Sequence, residues 1–274
     1  MSGILYLVAT PIGNLNDMSV RGVETLRAAD FIAAEDTRVT GKLLNRFEIK
    51  KPSVSYHEHN KRASGEAILR RLLAGETCAL VTDAGMPAIS DPGEDLVRLC
   101  AENGVEVIAV PGCCAAVTAL AVSGLPSRRF CFEGFLPMEK RERAERLEAL
   151  KTEKRTSILY EAPHRLMRTL TELHEALGER ELAVCRELTK LHEQTLRLTL
   201  SEAIRHFTDV PPKGEFVLVL SGAPEQTAPA LTEDEALARV RALQDGGMRC
   251  KDACKQVAKE TGMNASALYA LAVN

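Results

Sequence analysis

Missing from this 274-residue chain is any apolar run near the roughly 20 residues that a membrane-spanning helix needs. Its start, MSGILYLVATPIGN, lacks the basic region and cleavage site of a signal peptide, so the expected location is cytoplasmic, with no membrane partner. Paired Cys-x-x-Cys knuckles are missing as well. The eight cysteines are scattered, with Cys78, Cys100, Cys131 and Cys185 inside apolar segments, which reads as buried thiols rather than zinc ligands. Cys250 and Cys254 stand one helical turn apart without a nearby histidine, and no metal site is expected. A large excess of one charge sign is absent too. The net charge of −3 argues against broad non-specific affinity for nucleic acid while permitting a local basic face. Neither G-x-G-x-x-G nor G-x-x-x-x-G-K-[ST] occurs, so neither a standard dinucleotide site nor a triphosphate loop is indicated.

What is present is a rhythm of short apolar strands and helical patterns. Residues 4–10 (ILYLVAT), 31–36 (FIAAED), 78–83 (CALVTD) and 105–112 (VEVIAVPG) read as strands of a parallel α/β sheet, with helices between them. After Ser123-Gly124-Leu125-Pro126 the pattern turns to FCFEGFLP, TSILYEAP, LAVCREL, QTLRLTL and EFVLVLSG, richer in alternation and separated by two helices. This predicts a second sheet of mixed strand direction. The expected organisation is an α/β domain over 1–122, a second over 123–223 and, past the APEQTAPA linker, a helical extension over 231–274. Residues 138–155 mix both charge signs with Leu147 and Leu150 on one face, as in a solvated amphipathic helix whose extra lysines and arginines are able to touch phosphates. In the extension, Val257-Ala258, Gly262 and Leu268 have helix-turn-helix spacing. Acidic and basic residues nearly balance there, which leaves a DNA reader and a docking module both open.

Four loops share one logic, each at the expected carboxyl end of a strand: 9–14 (ATPIGN), 34–38 (AEDTR), 83–90 (DAGMPAIS) and 111–115 (PGCCA). In the third, Asp83 offers a carboxylate to a hydroxyl or ammonium group, Gly85 lets a ligand approach the backbone, and a helix is expected to open near Asp91. Turn chemistry alone explains any one of them. Four on one edge favour a cofactor crevice.

Taken in order, TPIGNL, AEDTR, YHEHN, VTDAGMPAISDPG, PGCCA, EGFLP, YEAPHR, RELTKLHE and KGEFVLV resemble the tetrapyrrole-methylase superfamily of S-adenosylmethionine enzymes. Within it they resemble the branch called ribosomal RNA small subunit methyltransferase I, over roughly residues 4–222, and the tail is similar to the short extension of many members. The resemblance implies a class III methyltransferase-like fold, two α/β domains with the cofactor cleft between them, and a homodimer. It further implies S-adenosyl-L-methionine as cofactor and 2′-O-methylation of a cytidine in the decoding centre of 16S rRNA, within the small ribosomal subunit. Carried onto this chain, it places Pro11, Asp83, Ala84, Gly85, Pro87, Ile89, Gly112, Cys113 and Cys114 on one cofactor wall. Tyr160, Glu161, Ala162, Gly214, Glu215 and Val217 would form the other. Where the family has Pro-Gly-Pro-Cys-Ala this chain has Pro-Gly-Cys-Cys-Ala, which loosens the turn while keeping its backbone groups.

Methyl transfer from a sulfonium is an in-line displacement in which positioning supplies much of the rate, and a ribose hydroxyl is a poor nucleophile. A base or an alkoxide-stabilising cation should help. Lys190, near the end of an expected strand, is the first candidate for the cation, and Glu35 or Glu161 for the base. Structural readings compete: Glu35 with Arg38, and Arg186 with Glu187, would equally make plain ion pairs. For RNA, Arg38, Lys42, Arg46, Lys50 and Lys51 cluster, and Asn60, Lys61 and Arg62 follow the histidine motif. His57 and His59 are expected to face one side of a strand edge as a substrate-facing polar patch, joined by Arg165 and Arg186. The rivals are a methylase of a tetrapyrrole or of a diphthine-type protein residue, and a nucleic-acid-binding regulator built on the helix-turn-helix.

Overall fold

The computed structural model describes residues 2–224, 232–261 and 263–273. The chain divides into two compact units, Met1–Ala223 and Pro224–Asn274. In the first, β1 (Ile4–Val8), β2 (Phe31–Ala34), β3 (Ser53–Ser55), β4 (Cys78–Val81) and β5 (Glu106–Val110) form an all-parallel sheet in the order β3-β2-β4-β1-β5. Every residue of β2 and β4 is buried, as a parallel strand covered on both faces requires. Short β3 was not expected, because its Ser-Val-Ser carries almost no apolar signal. Helices α1 (Val20–Ala28), α2 (Thr37–Arg46), α3 (Lys61–Leu73) and α4 (Glu94–Glu102) follow the strands. Helix α4 opens at Glu94 rather than near Asp91, since Gly93 caps it with φ 147°, outside the helical region.

The register seats β1 between β4 and β5: Leu5 pairs with both Cys78 and Val107. The loops after these three strands therefore leave side by side. Thr10 and Gly85 exchange two backbone hydrogen bonds, of 2.9 and 3.0 Å, across two of them.

A second sheet in the same unit contains β6 (Phe130–Phe135), β7 (Thr156–Glu161), β8 (Glu181–Arg186), β9 (Gln194–Thr199) and β10 (Phe216–Leu220), in the order β6-β7-β10-β8-β9. Only β6 and β7 run parallel, so the sheet is mixed. One face packs α6 (Lys140–Thr152), α7 (Pro163–Leu177) and α8 (Leu200–Asp209) through Leu150, Leu166, Leu170, Phe207 and Leu218. The third helix escapes sequence reading because α8 follows β9 directly, started by a Thr199–Glu202 capping box. The opposite face takes α5 (Ala115–Ser123), whose Ala116, Ala119 and Leu120 meet Ile158, Val217 and Val219.

Helix α6 is less solvated than its charges suggest. Arg143 is buried, donating to Thr169 Oγ1 at 2.7 Å and pairing with Glu172.

The second unit contains α9 (Glu233–Asp245), α10 (Cys250–Thr261) and α11 (Ala265–Val273) around Ala236, Val240, Cys254, Val257 and Leu268. Ala258 packs against that core; Gly262 and residues 225–231 lie outside the described residues. Among the described residues no helix is long and apolar enough to cross a membrane.

Candidate active site

Loops at the carboxyl edge of the first sheet face β7 and β10 across a cavity of about 480 Å³, within the range of ligand sites. Of the residues expected there, Ala84, Gly85, Ile89 and Cys114 line one side, and Tyr160, Glu161, Ala162, Glu215 and Val217 the other. Gly85 has φ 89°, and a Cβ there would approach Ile12 to 3.4 Å, so glycine keeps this wall thin. Pro11 and Asp83, also expected at the cofactor, line a neighbouring cavity of about 200 Å³ together with Thr10, whose bridge partner Gly85 lines the larger one. Pro87, Gly112, Cys113 and Gly214 line neither. Cys113 instead turns its Sγ toward the Asp17 carbonyl, 3.6 Å away.

Met86, inside the loop expected there, lines the cleft too, and so do Ile12, Asp91, Phe135 and Leu188, which are not singled out as cofactor contacts in the sequence. The apolar members read there as strand and core residues. Only the lone carboxylate of SDPG, after an apolar loop, offered a signal.

Tyr160 builds the far wall. Its hydroxyl accepts the Ala116 N–H at 3.1 Å, and its ring meets Phe132 and Phe135 edge-on at 5.0 and 5.6 Å. Burial pushes its phenol up to about 12, so it stays protonated. Glu161 is buried, accepting from Thr169 Oγ1 and, at 2.9 Å, from the Ala162 N–H, with Arg165 Nε 3.3 Å away. A carboxylate so committed secures β7 to α7 and has little left to give a substrate, which argues against it as the base.

Three other carboxylates are less committed: among the described residues Asp83 accepts only the Asp36 N–H, at 3.2 Å, and Glu35 only the Asp83 N–H, at 3.5 Å. Burial, reinforced by repulsion from Glu35 and Asp83, pushes Asp91 up to about 7. Glu35 and Asp83 are likewise raised, chiefly by burial. The expected Glu35–Arg38 pair does not form: Arg38 binds Asp36, whose side chain caps α2 and accepts the Arg38 N–H at 2.8 Å. Among the described residues no ion pair neutralises Glu35, Asp83 or Asp91. Poorly solvated negative charge of this kind favours a cation.

Lys190 lies in the loop four residues beyond β8, and its Nζ stands 2.8 Å from both Glu187 Oε1 and Glu215 Oε2. Burial works against its charge, but the two carboxylates outweigh it and hold its pKa above the ordinary lysine value. Glu187 and Thr189 both have left-handed backbones, with φ of 50° and 66°. Such strain persists only where surroundings over-determine it. Gly13 is part of that constraint, since a Cβ there would fall 2.5 Å from Lys190 Cγ.

The family described as Tetrapyrrole (Corrin/Porphyrin) Methylases matches residues 4–204. A protein of Synechocystis sp. named ribosomal RNA small subunit methyltransferase I is 52% identical, over 99% of this chain and 98% of its own length. The protein of that name from Halalkalibacterium halodurans is 50% identical, over 97% and 93%. The chain belongs to the ribosomal RNA small subunit methyltransferase I family. The crystal structure of uroporphyrin-III C-methyltransferase from Thermus thermophilus, complexed with S-adenyl homocysteine, superposes with a TM-score of 0.56 at 18% identity. It covers 80% of this chain and 97% of that one, a likeness of fold.

In this family member the expected RNA-facing residues separate into two groups. Arg38, Lys42 and Arg46 are exposed along α2, and Lys42 and Arg46 make no ion pair among the described residues. Arg165 is withdrawn, bound to Glu161 and to the Leu136 carbonyl, and Arg186 donates its Nε to the Lys213 carbonyl rather than pairing with Glu187. Lys61 is likewise held, by Glu58 and Asp95 at 2.7 and 2.9 Å. His57 and His59 stand past the end of β3 in a turn, not on a strand edge, their rings 6.0 Å apart. Asn60 makes that turn by accepting the His57 N–H at 2.8 Å.

Proposed function

We propose that this chain transfers a methyl group from S-adenosyl-L-methionine to the ribose 2′-hydroxyl of a cytidine in the decoding centre of 16S rRNA. It acts on the assembled small ribosomal subunit, in the cytoplasm, as a homodimer. The observation that carries this reading is the cleft itself, with apolar walls and the unpaired carboxylate of Asp91, in a chain whose α2 presents exposed lysine and arginine. That donor set fits a cofactor with an apolar body and a positive centre.

When bound, the cofactor supplies a methyl group activated by a cationic sulfur. Ala84, Gly85, Ile89 and Tyr160 hold its body, and Phe135 with Tyr160 excludes water from the far side. Asp91, at the cleft wall, provides a negative potential that favours a cation over a neutral product. The Glu35 carboxylate, raised by burial, takes the hydroxyl proton, with Glu161 left to position β7. Lys190 has three N–H donors and spends two on Glu187 and Glu215; the third stabilises the developing alkoxide. Lys42 and Arg46 take phosphates. Exposed Val117 and Val122 on α5, with Phe130 and Phe135 on β6, supply apolar surface for a second copy.

Radiolabelled cofactor tests the reading. Label should enter small subunits in preference to protein-free 16S rRNA; equal labelling would contradict action on the assembled particle.

A further inference from the structure

The cavity of about 200 Å³ beyond the Thr10–Gly85 bridge has a chemistry of its own. It falls below the range for whole ligands and suits a single flat ring. Its walls are apolar at Pro11, Leu15, Val39 and Leu43, and two of these are exposed at 46% for Leu15 and 39% for Val39. A base taken out of its stack is held between aromatic or apolar side chains, and here the apolar walls lie beside a basic helix. The polar groups are few and defined. Asp83 accepts the Asp36 N–H with Oδ1 at 3.2 Å, and its Oδ2 makes no hydrogen bond among the described residues. Thr40 is 2% exposed, and its Oγ1 has no hydrogen-bond partner among the described residues. Lys42 stands at the cavity and Arg46 one helical turn further, where a backbone phosphate would be met.

We propose that this cavity holds the pyrimidine ring of the target nucleotide, rotated out of its strand, with Asp83 accepting the exocyclic amine of cytosine. The inference rests on the RNA reading above and deepens it: the neighbouring cleft takes the cofactor, and this cavity selects the base. A carboxylate accepts from the cytosine amine but meets only a carbonyl at that position in uracil. Asp83 therefore discriminates between the two pyrimidines. The cavity shares no lining residue with the cofactor cleft, and the Thr10–Gly85 bridge joins one lining residue of each where the two adjoin.

Two variants of the full chain test this. Val39→Trp fills the cavity from an exposed helix position, and Leu15→Glu charges its rim from a separate element; thermal melts verify that each is folded. Both should raise KM for small subunits about tenfold or more while leaving the S-adenosylmethionine Kd within twofold of wild type. Asp83→Asn should lower the preference for subunits carrying cytidine over uridine at the target position by about tenfold. Loss of cofactor affinity in step with subunit methylation, no change in either, or an unaltered cytidine preference in Asp83→Asn would overturn the proposal. Wild-type protein that labels no subunits contradicts the RNA reading itself, and is seen before any variant is compared.

Discussion

Lys190 Nζ lies 2.8 Å from Glu187 Oε1, and Glu187 presents that carboxylate from a left-handed backbone with φ 50°. The same Oε1 accepts the Glu215 N–H at 2.9 Å, so one strained residue fixes both the ammonium and the edge of the cleft. An ammonium held this way needs little reorganisation when charge develops beside it. Lys190→Met should lower kcat about 100-fold or more with cofactor affinity nearly unchanged. Glu187→Gln should lose less in kcat and, by removing a negative neighbour of Lys190, shift the alkaline limb of the pH profile downward. Single-turnover rates and cofactor titrations separate these effects, and an unchanged kcat in Lys190→Met would remove Lys190 from the mechanism.

Asp91 sets the acid side. With its carboxyl pushed up to about 7 by burial, its negative charge fades as pH falls through 7, and cofactor affinity should fall with it. Fold stability moves in the opposite sense. The folded chain holds this proton more tightly than the unfolded chain, whose carboxyl titrates near 3.8, so the stabilisation present below about pH 4 is lost as pH rises through 7. Asp91→Asn should therefore melt higher than wild type at pH 8, with the gap closing toward pH 4. Discounted for solvent screening, the gain is about 1 kcal/mol, or about 2–4 °C. Weaker cofactor binding together with a higher melting temperature is the expected pattern, read by calorimetry across pH.

Arg143 offers a contrast between buried and exposed charge. It is 3% exposed, and its partners Thr169 and Glu172 lie on α7. Arg143→Ala should destabilise the chain by about 3 kcal/mol, because carboxylate and hydroxyl lose a buried donor. Arg141→Ala, which removes an exposed pair with Glu145, should change stability by less than about 0.5 kcal/mol. Denaturant titration of both variants measures the difference.

Much of the architecture is legible in the residues. The uninterrupted apolar runs of β2 and β4 announce a covered parallel sheet, and alternation after Pro126 announces a mixed one. What stays hidden depends on contacts made at a distance. Arg143 sits in a run of exposed charges and is singled out only by α7 packing over it. Pro11 and Asp83 share loops with cleft residues yet line the neighbouring cavity, beside a backbone bridge between the two loops. Glu161 and Arg165 look like chemistry by residue type, yet one helical turn of spacing ties them to each other. Asp91 carries only a faint local mark, a carboxylate after an apolar loop; its burial, and its repulsion by Glu35 from another strand end and by Asp83 at the head of its own loop, come from the fold.

The basic face of α2 should account for much of the salt dependence. Lys42→Ala combined with Arg46→Ala is expected to weaken subunit binding and to reduce the slope of log affinity against log salt by about 1–2. A filter-binding series over salt concentration reads this. An unaltered slope would make that face plain solvated surface.

The extension has its own core at Val240, Cys254, Val257 and Leu268. A chain ending at Ala223 should keep its cofactor affinity. If instead the truncated chain lost all function while Asp83 variants of the full chain lost none, a regulator built on the extension would be the better account.

The central claim is ribose methylation of small-subunit RNA. Purified chain, S-adenosylmethionine and small ribosomal subunits should be incubated together, and the rRNA mapped by mass spectrometry after nuclease digestion. The account predicts one added methyl on the ribose of a decoding-centre cytidine, giving 2′-O-methylcytidine. Absence of that methyl, with label appearing instead on a tetrapyrrole or a protein substrate supplied in parallel, would contradict it.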